Sequence, residues 1–177
     1  METAQYLAQH SPSSVMKSTK SGRLPAQLAA ALSPPETSYA ITSFLLSNPL
    51  WSTSILNHRD NSGRGVLIDA AVARSFQLLK SLLLEYNADP NQTDSIHRSM
   101  IHYAAMMGHL DTLELLYHLQ LPNQISWDTP DSWDQWTPLL HASREGHEPI
   151  VKFLLENKLA DQSWKDKRGR TGYDLGK

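Results

Sequence analysis

The chain carries eight histidines, and their spacing decides whether they could bind a metal ion. Helical zinc sites commonly use a His-Glu-x-x-His pattern, which places two imidazoles on one helix face. No such spacing occurs in this chain. The chain also lacks cysteine, which removes disulfides and thiolate ligands. The sequence therefore predicts no metal site.

A short stretch, His58-Arg59-Asp60, matches the first three letters of a protein-kinase catalytic loop. The leucine and asparagine that should follow are missing, and no Asp-Phe-Gly motif accompanies it. Gly63-Arg64-Gly65 has too few glycines for a nucleotide-binding loop, and no serine elbow is present. The sequence therefore predicts no catalytic residue and no cofactor, and we expect that the chain is not an enzyme.

Two stretches of the chain are close copies of each other. Ser99–His109 reads Ser-Met-Ile-His-Tyr-Ala-Ala-Met-Met-Gly-His, and Trp136–His147 reads Trp-Thr-Pro-Leu-Leu-His-Ala-Ser-Arg-Glu-Gly-His. Each copy is followed by an apolar, leucine-rich segment. This pattern resembles the ankyrin repeat, whose signature is Thr-Pro-Leu-His-x-Ala, a Gly-His turn and a leucine-rich second helix.

The resemblance implies an all-α ankyrin-repeat solenoid of stacked helix-turn-helix pairs, because one pair cannot bury its apolar face alone. Gly108 and Gly146 lie 38 residues apart, about five more than the family period of roughly 33. We therefore expect a long inter-repeat insert at 121–135. The expected single domain divides into an N-terminal helix remnant and loop (1–19), a degenerate capping repeat (20–59), three repeats (60–93, 94–131 with the insert, 132–165) and a partial repeat (166–177).

Local patterns predict individual elements of these repeats. Residues 66–72 and 76–86 are expected to be the first and second helices of one repeat, with Asp60 opening its turn. A helix over 39–46 is expected to end at Pro49-Leu50-Trp51, and residues 11–21 to form a loop.

The resemblance also assigns roles to polar residues. It implies that His102, His109 and His147 are structural groups that hydrogen-bond neighbouring backbone, with His141 in a variant of the same position. Asp69 stands where the family usually has a neutral residue. A carboxylate there must face water, a hydrogen-bond donor or a ligand cation.

Partners of ankyrin proteins usually bind a concave groove lined by the turns and first helices. Met106 and Met107 occupy groove positions that are normally polar in the family. The flexible methionine side chain packs readily against apolar side chains of a partner. Arginine recurs at one turn position, which would suit an acidic partner. The family's contact positions correspond to Arg64, Ile96, Arg98, Met106, Met107, Trp133, Asp134, Trp136, Arg144 and Glu145.

Four tryptophans lie on links or turns between repeats and allow two interpretations. They either pack on neighbouring repeats and anchor the insert, or they present aromatic anchors to a ligand, since tryptophan is common at binding hot spots. A second hypothesis is a small-molecule binder or atypical enzyme. Its aromatic pocket would lie under the insert at 121–135, with polar groups from Asp69, His102, Tyr103 or His141.

Composition narrows the function further. The 177 residues are 40% hydrophobic with a formal net charge of -2, and the basic residues form no stripe that would attract nucleic acid. No apolar stretch approaches the roughly 20 residues of a membrane span, and no signal peptide is evident. We therefore expect a monomeric, intracellular (cytoplasmic or nuclear) module that binds another protein, with neither nucleic acid nor membrane as partner.

Overall fold

A computed structural model of the chain describes residues 11–32, 34–119 and 125–177. The chain divides into two compact units, Met1–Asp94 (unit 1) and Ser95–Lys177 (unit 2). Within the described ranges the regular elements are helices, and no β-strand is present. None of the described helices is both long and apolar enough to cross a bilayer.

The described residues of unit 1 contain five α-helices after a short 3-10 helix, Pro12–Met16. Three of them begin with proline, whose missing N–H would have no partner in the first turn of a helix. The first helix packs against the second and the fourth, and the second also packs against the fifth. The helices are α1 (Pro25–Ala30), α2 (Pro35–Leu46), α3 (Pro49–Asn57), α4 (Val66–Val72) and α5 (Phe76–Leu84).

Unit 2 stacks short first helices and covers them with longer second helices. Its helices are α6 (Met100–Met106), α7 (Leu110–His118), α8 (Pro138–Arg144), α9 (Glu148–Glu156) and α10 (Gly172–Leu175). First helices α6, α8 and α10 pack side by side, while α7 lies on α6 and α9 lies on α8. Ala104, Ala105 and Ala142 are buried between first helices, where small side chains permit close approach.

Several predicted elements can be compared with the structure. The helix predicted at 66–72 is confirmed, and its partner ends at Leu84. The helix predicted at 39–46 is confirmed within α2, which ends at Leu46, but two other features predicted for unit 1 were wrong. Pro49 opens α3, whose first turn is capped by the Asn48 side chain, and residues 11–21 contain the 3-10 helix. The described part of the insert, from residue 125, has no helix, and 121–124 lie outside the described residues. The repeat boundaries remain predictions.

Candidate protein-interaction site

The turns before the first helices of unit 2 are short hairpin-like loops, here called fingers, at 95–98, 131–136 and 166–170. An aspartate closes two of them from inside. Asp166 Oδ1 accepts the N–H groups of residues 168 and 170, both at 2.9 Å. Asp131 Oδ1 accepts the N–H groups of residues 134 and 136, at 3.2 and 3.1 Å. These bonds fix the finger backbone independently of any ligand.

Neighbouring fingers are also bonded to one another. The Ser132 N–H donates to the Ile96 carbonyl at 2.9 Å, and the Lys167 N–H donates to the Asp134 carbonyl at 3.0 Å. The Lys167 ammonium donates to the Ser132 carbonyl at 2.9 Å and to the Trp133 carbonyl. The fingers of unit 2 are therefore one hydrogen-bonded row, with Trp133 on a fixed backbone.

Asp131 also organises a buried charged cluster. Its Oδ2 atom accepts from Arg98 Nε at 3.0 Å and lies 3.2 Å from His141 Nε2. Burial alone would raise the pKa of Asp131, but the Trp136 N–H and the Arg98 guanidinium outweigh it and lower that pKa below its ordinary value. His141 therefore bonds a carboxylate, whereas a hydrogen bond to neighbouring backbone was expected.

His102 lies next to this cluster and is fully buried. Its Nδ1 atom accepts the Ser99 N–H at 3.1 Å, which places the proton of the neutral ring on Nε2. Burial, aided by the nearby His141, lowers the pKa of His102 to about 4. His102 is therefore neutral at pH 7 and caps the first turn of α6, in agreement with the expected structural role.

Three tryptophan side chains of unit 2 pack or hydrogen-bond within the molecule. Trp127 packs beside the rings of Tyr117 and Phe153, with centroid distances of 6.4 and 6.2 Å. The Trp164 indole N–H donates to a backbone carbonyl at 2.9 Å. The Trp136 indole N–H donates to the Asp166 carboxylate at 3.1 Å. Packing therefore accounts for these three residues.

Trp136 occupies the finger position that arginine holds in the neighbouring fingers. Arg98, Trp136 and Arg170 each follow a residue with positive φ, between 59° and 76°. Arg170 donates to Asp166 at 2.7 Å and stacks over the Trp136 ring at 5.9 Å. Burial alone would raise the pKa of Asp166, but its hydrogen bonds to Arg170 outweigh burial and lower that pKa to about 2. The recurring arginines thus have carboxylate partners inside the molecule.

Trp133 differs from these residues because 68% of its surface is exposed. Met107 is 46% exposed at the end of α6, and Arg144 and Glu145 are exposed at the end of α8. Met106 is half-buried, and its carbonyl accepts from His147 Nε2 at 3.1 Å. Arg98, Asp134 and Trp136 bond to other fingers or to Asp131. The predicted contact residues of unit 2 whose side chains are exposed to a partner are therefore Met107, Trp133, Arg144 and Glu145.

Arg64, the remaining predicted contact residue, belongs to unit 1. It contacts the buried Asp69 carboxylate, which Arg23 also meets at 2.8 Å. Asp60 Oδ1 accepts the N–H groups of residues 62 and 64 at 2.9 Å, so Asp60 opens the turn, as predicted. The sequence left water, a hydrogen-bond donor and a ligand cation open for Asp69, and the structure gives it two arginine donors. The recurring arginines were the signal that could have identified these partners.

A cavity of about 620 Å³ lies beside α8, α9 and α10. Its lining includes Leu139, Val151, Leu155 and Tyr173 but no tryptophan. It does not involve the described part of the insert, so it gives no support to an aromatic pocket there. Among the described residues, no three acidic or histidine side chains are grouped to hold a metal ion.

Comparison with protein families agrees with this architecture. A family described as ankyrin repeats in three copies matches residues 101–172, and one described as ankyrin repeats in many copies matches residues 67–117. Together these matches span more than half of the chain. The chain belongs to the ankyrin-repeat family, whose members are generally protein-interaction modules and typically lack enzymatic activity.

Individual relatives differ in how much they share with the chain. The mouse ankyrin repeat and SAM domain-containing protein 6 is 35% identical over 104 residues, which are 57% of this chain and 11% of that protein. Glycerophosphocholine phosphodiesterase GDE1 of Candida albicans is 34% identical over 51% of this chain and 8% of its own. The probable 26S proteasome regulatory subunit p28 of Saccharomyces cerevisiae is 25% identical over 97% of this chain and 86% of that protein.

Proposed function

We propose that unit 2 binds a peptide or loop of another protein through its exposed finger and helix-end residues. This surface, the finger face, consists of Met107, Trp133, Arg144 and Glu145. The observation that carries the proposal is an indole that is 68% exposed on a backbone fixed by bonds to two other fingers. A large aromatic side chain on a rigid base loses little conformational entropy on binding.

The other predicted contact residues have a different role in this proposal. Arg98, Asp134 and Trp136 hold the fingers in position, and Ile96 and Met106 contribute their backbone carbonyls. A partner is expected to place one apolar side chain against Trp133 and another against Met107. Arg144 and Glu145 supply one charge of each sign, which favours a partner segment of mixed charge over a strongly acidic one.

We also propose that this function involves no chemistry and takes place inside the cell. The two buried histidines that could have served a reaction are used to cap α6 and to hold Asp131. We base the intracellular setting on the absence of cysteine, since disulfides are frequent in secreted proteins and rare in cytosolic ones.

A specific partner class deserves a first test because one relative aligns along nearly the whole chain. The yeast p28 protein is named as a probable regulatory subunit of the 26S proteasome. We therefore propose proteasome subunits as candidate partners. The assignment would be supported if proteasomes co-purify with the tagged chain and no longer co-purify with its Trp133→Ala variant. A tagged chain that recovers no proteasomes under conditions that recover p28 would contradict it.

The finger face itself can be tested without knowing the natural partner. Peptides selected from a random display library against the chain would be measured for binding to Trp133→Ala and Met107→Ala. We expect Trp133→Ala to weaken binding about tenfold or more, as hot-spot residues do. Leu50→Ala is the matched control, because Leu50 is 83% exposed in unit 1. Equal binding by all three variants would refute the proposed surface.

A further inference from the structure

The finger at 131–136 is one residue longer than the equivalent turns. Asp60 and Asp166 each accept the N–H groups two and four residues further along the chain. Asp131 instead accepts the N–H groups three and five residues further along. The finger that Asp131 closes has therefore gained one residue relative to the other two turns.

The bonds between fingers identify the added residue. The Ser132 N–H donates to the Ile96 carbonyl of the preceding finger, and the Asp134 carbonyl accepts from the following finger, so Ile96 and Asp134 are equivalent acceptors. Ile96 directly follows Ser95, the counterpart of Ser132, whereas Trp133 separates Ser132 from Asp134. Trp133 is therefore the added residue. In repeat proteins such insertions map to loops, often on the binding face.

Lys167 holds the backbone around the added tryptophan. Its ammonium donates to the Ser132 carbonyl at 2.9 Å and to the Trp133 carbonyl, which uses two of its three N–H groups. Both acceptors are neutral, and Lys167 forms no ion pair with any residue that the structure describes. Lys167 is exposed. An uncompensated positive charge is thus fixed at the base of the exposed indole.

The recurring finger arginines differ from Lys167 in this respect. Arg98 donates to Asp131 at 3.0 Å, and Arg170 donates to Asp166 at 2.7 Å. Their charges are balanced inside the molecule, whereas the charge of Lys167 is available to a partner. A carboxylate of a partner, which the arginines were expected to attract, would therefore be attracted to Lys167 instead.

We propose that Trp133 and Lys167 together recognise an apolar residue that has a carboxylate close to it in the partner segment. This inference rests on the proposed function of the finger face and specifies the chemistry of its partner. The apolar side chain covers the Trp133 indole, and an aspartate or glutamate beside it accepts the third N–H of Lys167. The remainder of the segment meets Arg144 and Glu145, so the segment as a whole keeps a mixed charge.

Random peptide display against the intact chain would provide the probes. One selection uses the unaltered chain, and a parallel one uses Lys167→Gln, which removes the charge but keeps an NH2 group that can donate to the two carbonyls. Only peptides whose binding Trp133→Ala weakens about tenfold or more are kept. We expect aspartate or glutamate to be enriched within three positions of an apolar residue in the first selection and not in the second.

Single peptides would then measure the effect of the charge. The strongest binder from the first selection is compared by fluorescence anisotropy with a copy whose acidic residues are changed to amides. The amide copy should bind the unaltered chain about two- to fivefold more weakly, as expected for an exposed ion pair, and this difference should shrink as salt is added. Lys167→Arg should retain the difference, and Lys167→Gln should abolish it. Lys152→Gln makes the same change of charge on the exposed face of α9 and should retain it.

The outcomes distinguish this inference from the finger face itself. Trp133-dependent peptides without acidic enrichment would overturn the inference and leave the finger face intact, and so would an acidic preference that survives in Lys167→Gln. Failure to obtain any peptide that Trp133→Ala weakens would refute the finger face and this inference with it. Circular dichroism would establish that each variant is folded.

Discussion

The two units each bury an arginine-paired carboxylate, but they supply it from different elements. In unit 1 the carboxylate is Asp69 of α4, and it meets Arg23 and Arg64 of two turns. In unit 2 the carboxylate is Asp131 of a finger, and it meets Arg98 and His141. One unit therefore pairs its carboxylate only with arginines, whereas the other also uses a histidine, whose charge can change with pH.

The helix caps show the same difference. In unit 1 the Leu24 N–H donates to the Gln27 side chain at 3.1 Å, and in unit 2 the Ser99 N–H donates to His102 at 3.1 Å. Glutamine and neutral histidine are interchangeable as acceptors in this position, but only histidine can be protonated. The comparison teaches that similar repeats can differ in their response to acid, and that unit 2 should be the sensitive one.

The largest expected effect comes from removing the carboxylate of unit 1. Asp69→Ala removes the buried counter-ion of Arg23 and Arg64 and leaves Arg23 only the more distant Asp60, at 4.0 Å. Breaking a buried pair of this kind costs about 3 to 4 kcal/mol when the arginines are partly exposed. Urea unfolding followed by circular dichroism would measure this loss. Asp89→Ala, an exposed carboxylate of the same unit, should cost less than about 1 kcal/mol. Similar losses for both variants would show that Asp69 is no more important than a surface residue.

Acid should selectively destabilise unit 2. The pKa of His102 is about 4 in the folded chain and near 6.5 when exposed, so the unfolded chain binds more protons between these values. The stability that neutral, buried His102 supports is fully present above about pH 6.5. Below that pH the free energy of unfolding falls, and the loss reaches about 3 kcal/mol at pH 4. The lowered pKa of His141 acts in the same direction.

The matched variant for this prediction is His102→Gln, which copies Gln27 and keeps an acceptor for the Ser99 N–H. Urea unfolding at pH 7 and pH 4, followed by tryptophan fluorescence, would compare the two chains. The unaltered chain should lose about 3 kcal/mol more than His102→Gln on acidification. If both chains lose equal stability, the buried histidine is not the source of acid sensitivity.

A smaller effect is expected where Trp136 replaces the finger arginine. Trp136→Phe keeps an aromatic ring beside His141 but removes the indole bond to Asp166. Loss of one hydrogen bond to a charged group costs about 1.5 to 3 kcal/mol, and we expect the lower end here because Arg170 still pairs with Asp166. The free energy of unfolding in urea measures this cost, and an unchanged value would mean that the indole N–H is satisfied by water just as well.

The smallest effect is expected on the solvent side of α9. Lys152 and Glu156 form an exposed ion pair at 3.7 Å, and such pairs contribute at most about 0.5 kcal/mol. Lys152→Ala should therefore leave the midpoint of urea unfolding almost unchanged. A loss above about 1 kcal/mol would contradict the small contribution expected of an exposed ion pair.

The repeated segments of the sequence predicted the main helices because their signals are local. Leucine periodicity and the Gly-His turns identify α4, α6, α7, α8 and α9, with α4 predicted to its terminal residues. Helix α3 was missed because Pro49 reads equally well as the end of one helix and as the first turn of another. Only the capping bond of Asn48 distinguishes these cases, and that bond depends on the folded geometry.

The site was less predictable because it depends on contacts between distant residues. The sequence predicted Arg98 and Trp136 as partner contacts. In the structure the guanidinium of Arg98 donates to Asp131, which lies 33 residues away in the chain. Trp133 and Trp136 look alike in the sequence, yet one points to solvent and the other bonds Asp166. Exposure of this kind follows from the stacking of neighbouring repeats, which no single repeat encodes.

The most direct test of the finger face is hydrogen–deuterium exchange of the chain with a display-selected peptide bound. Protection should concentrate at the fingers 95–98 and 131–136 and at the ends of α6 and α8, with Trp133→Ala abolishing it. Protection confined to unit 1, or to the outer surface of α9, would contradict the account.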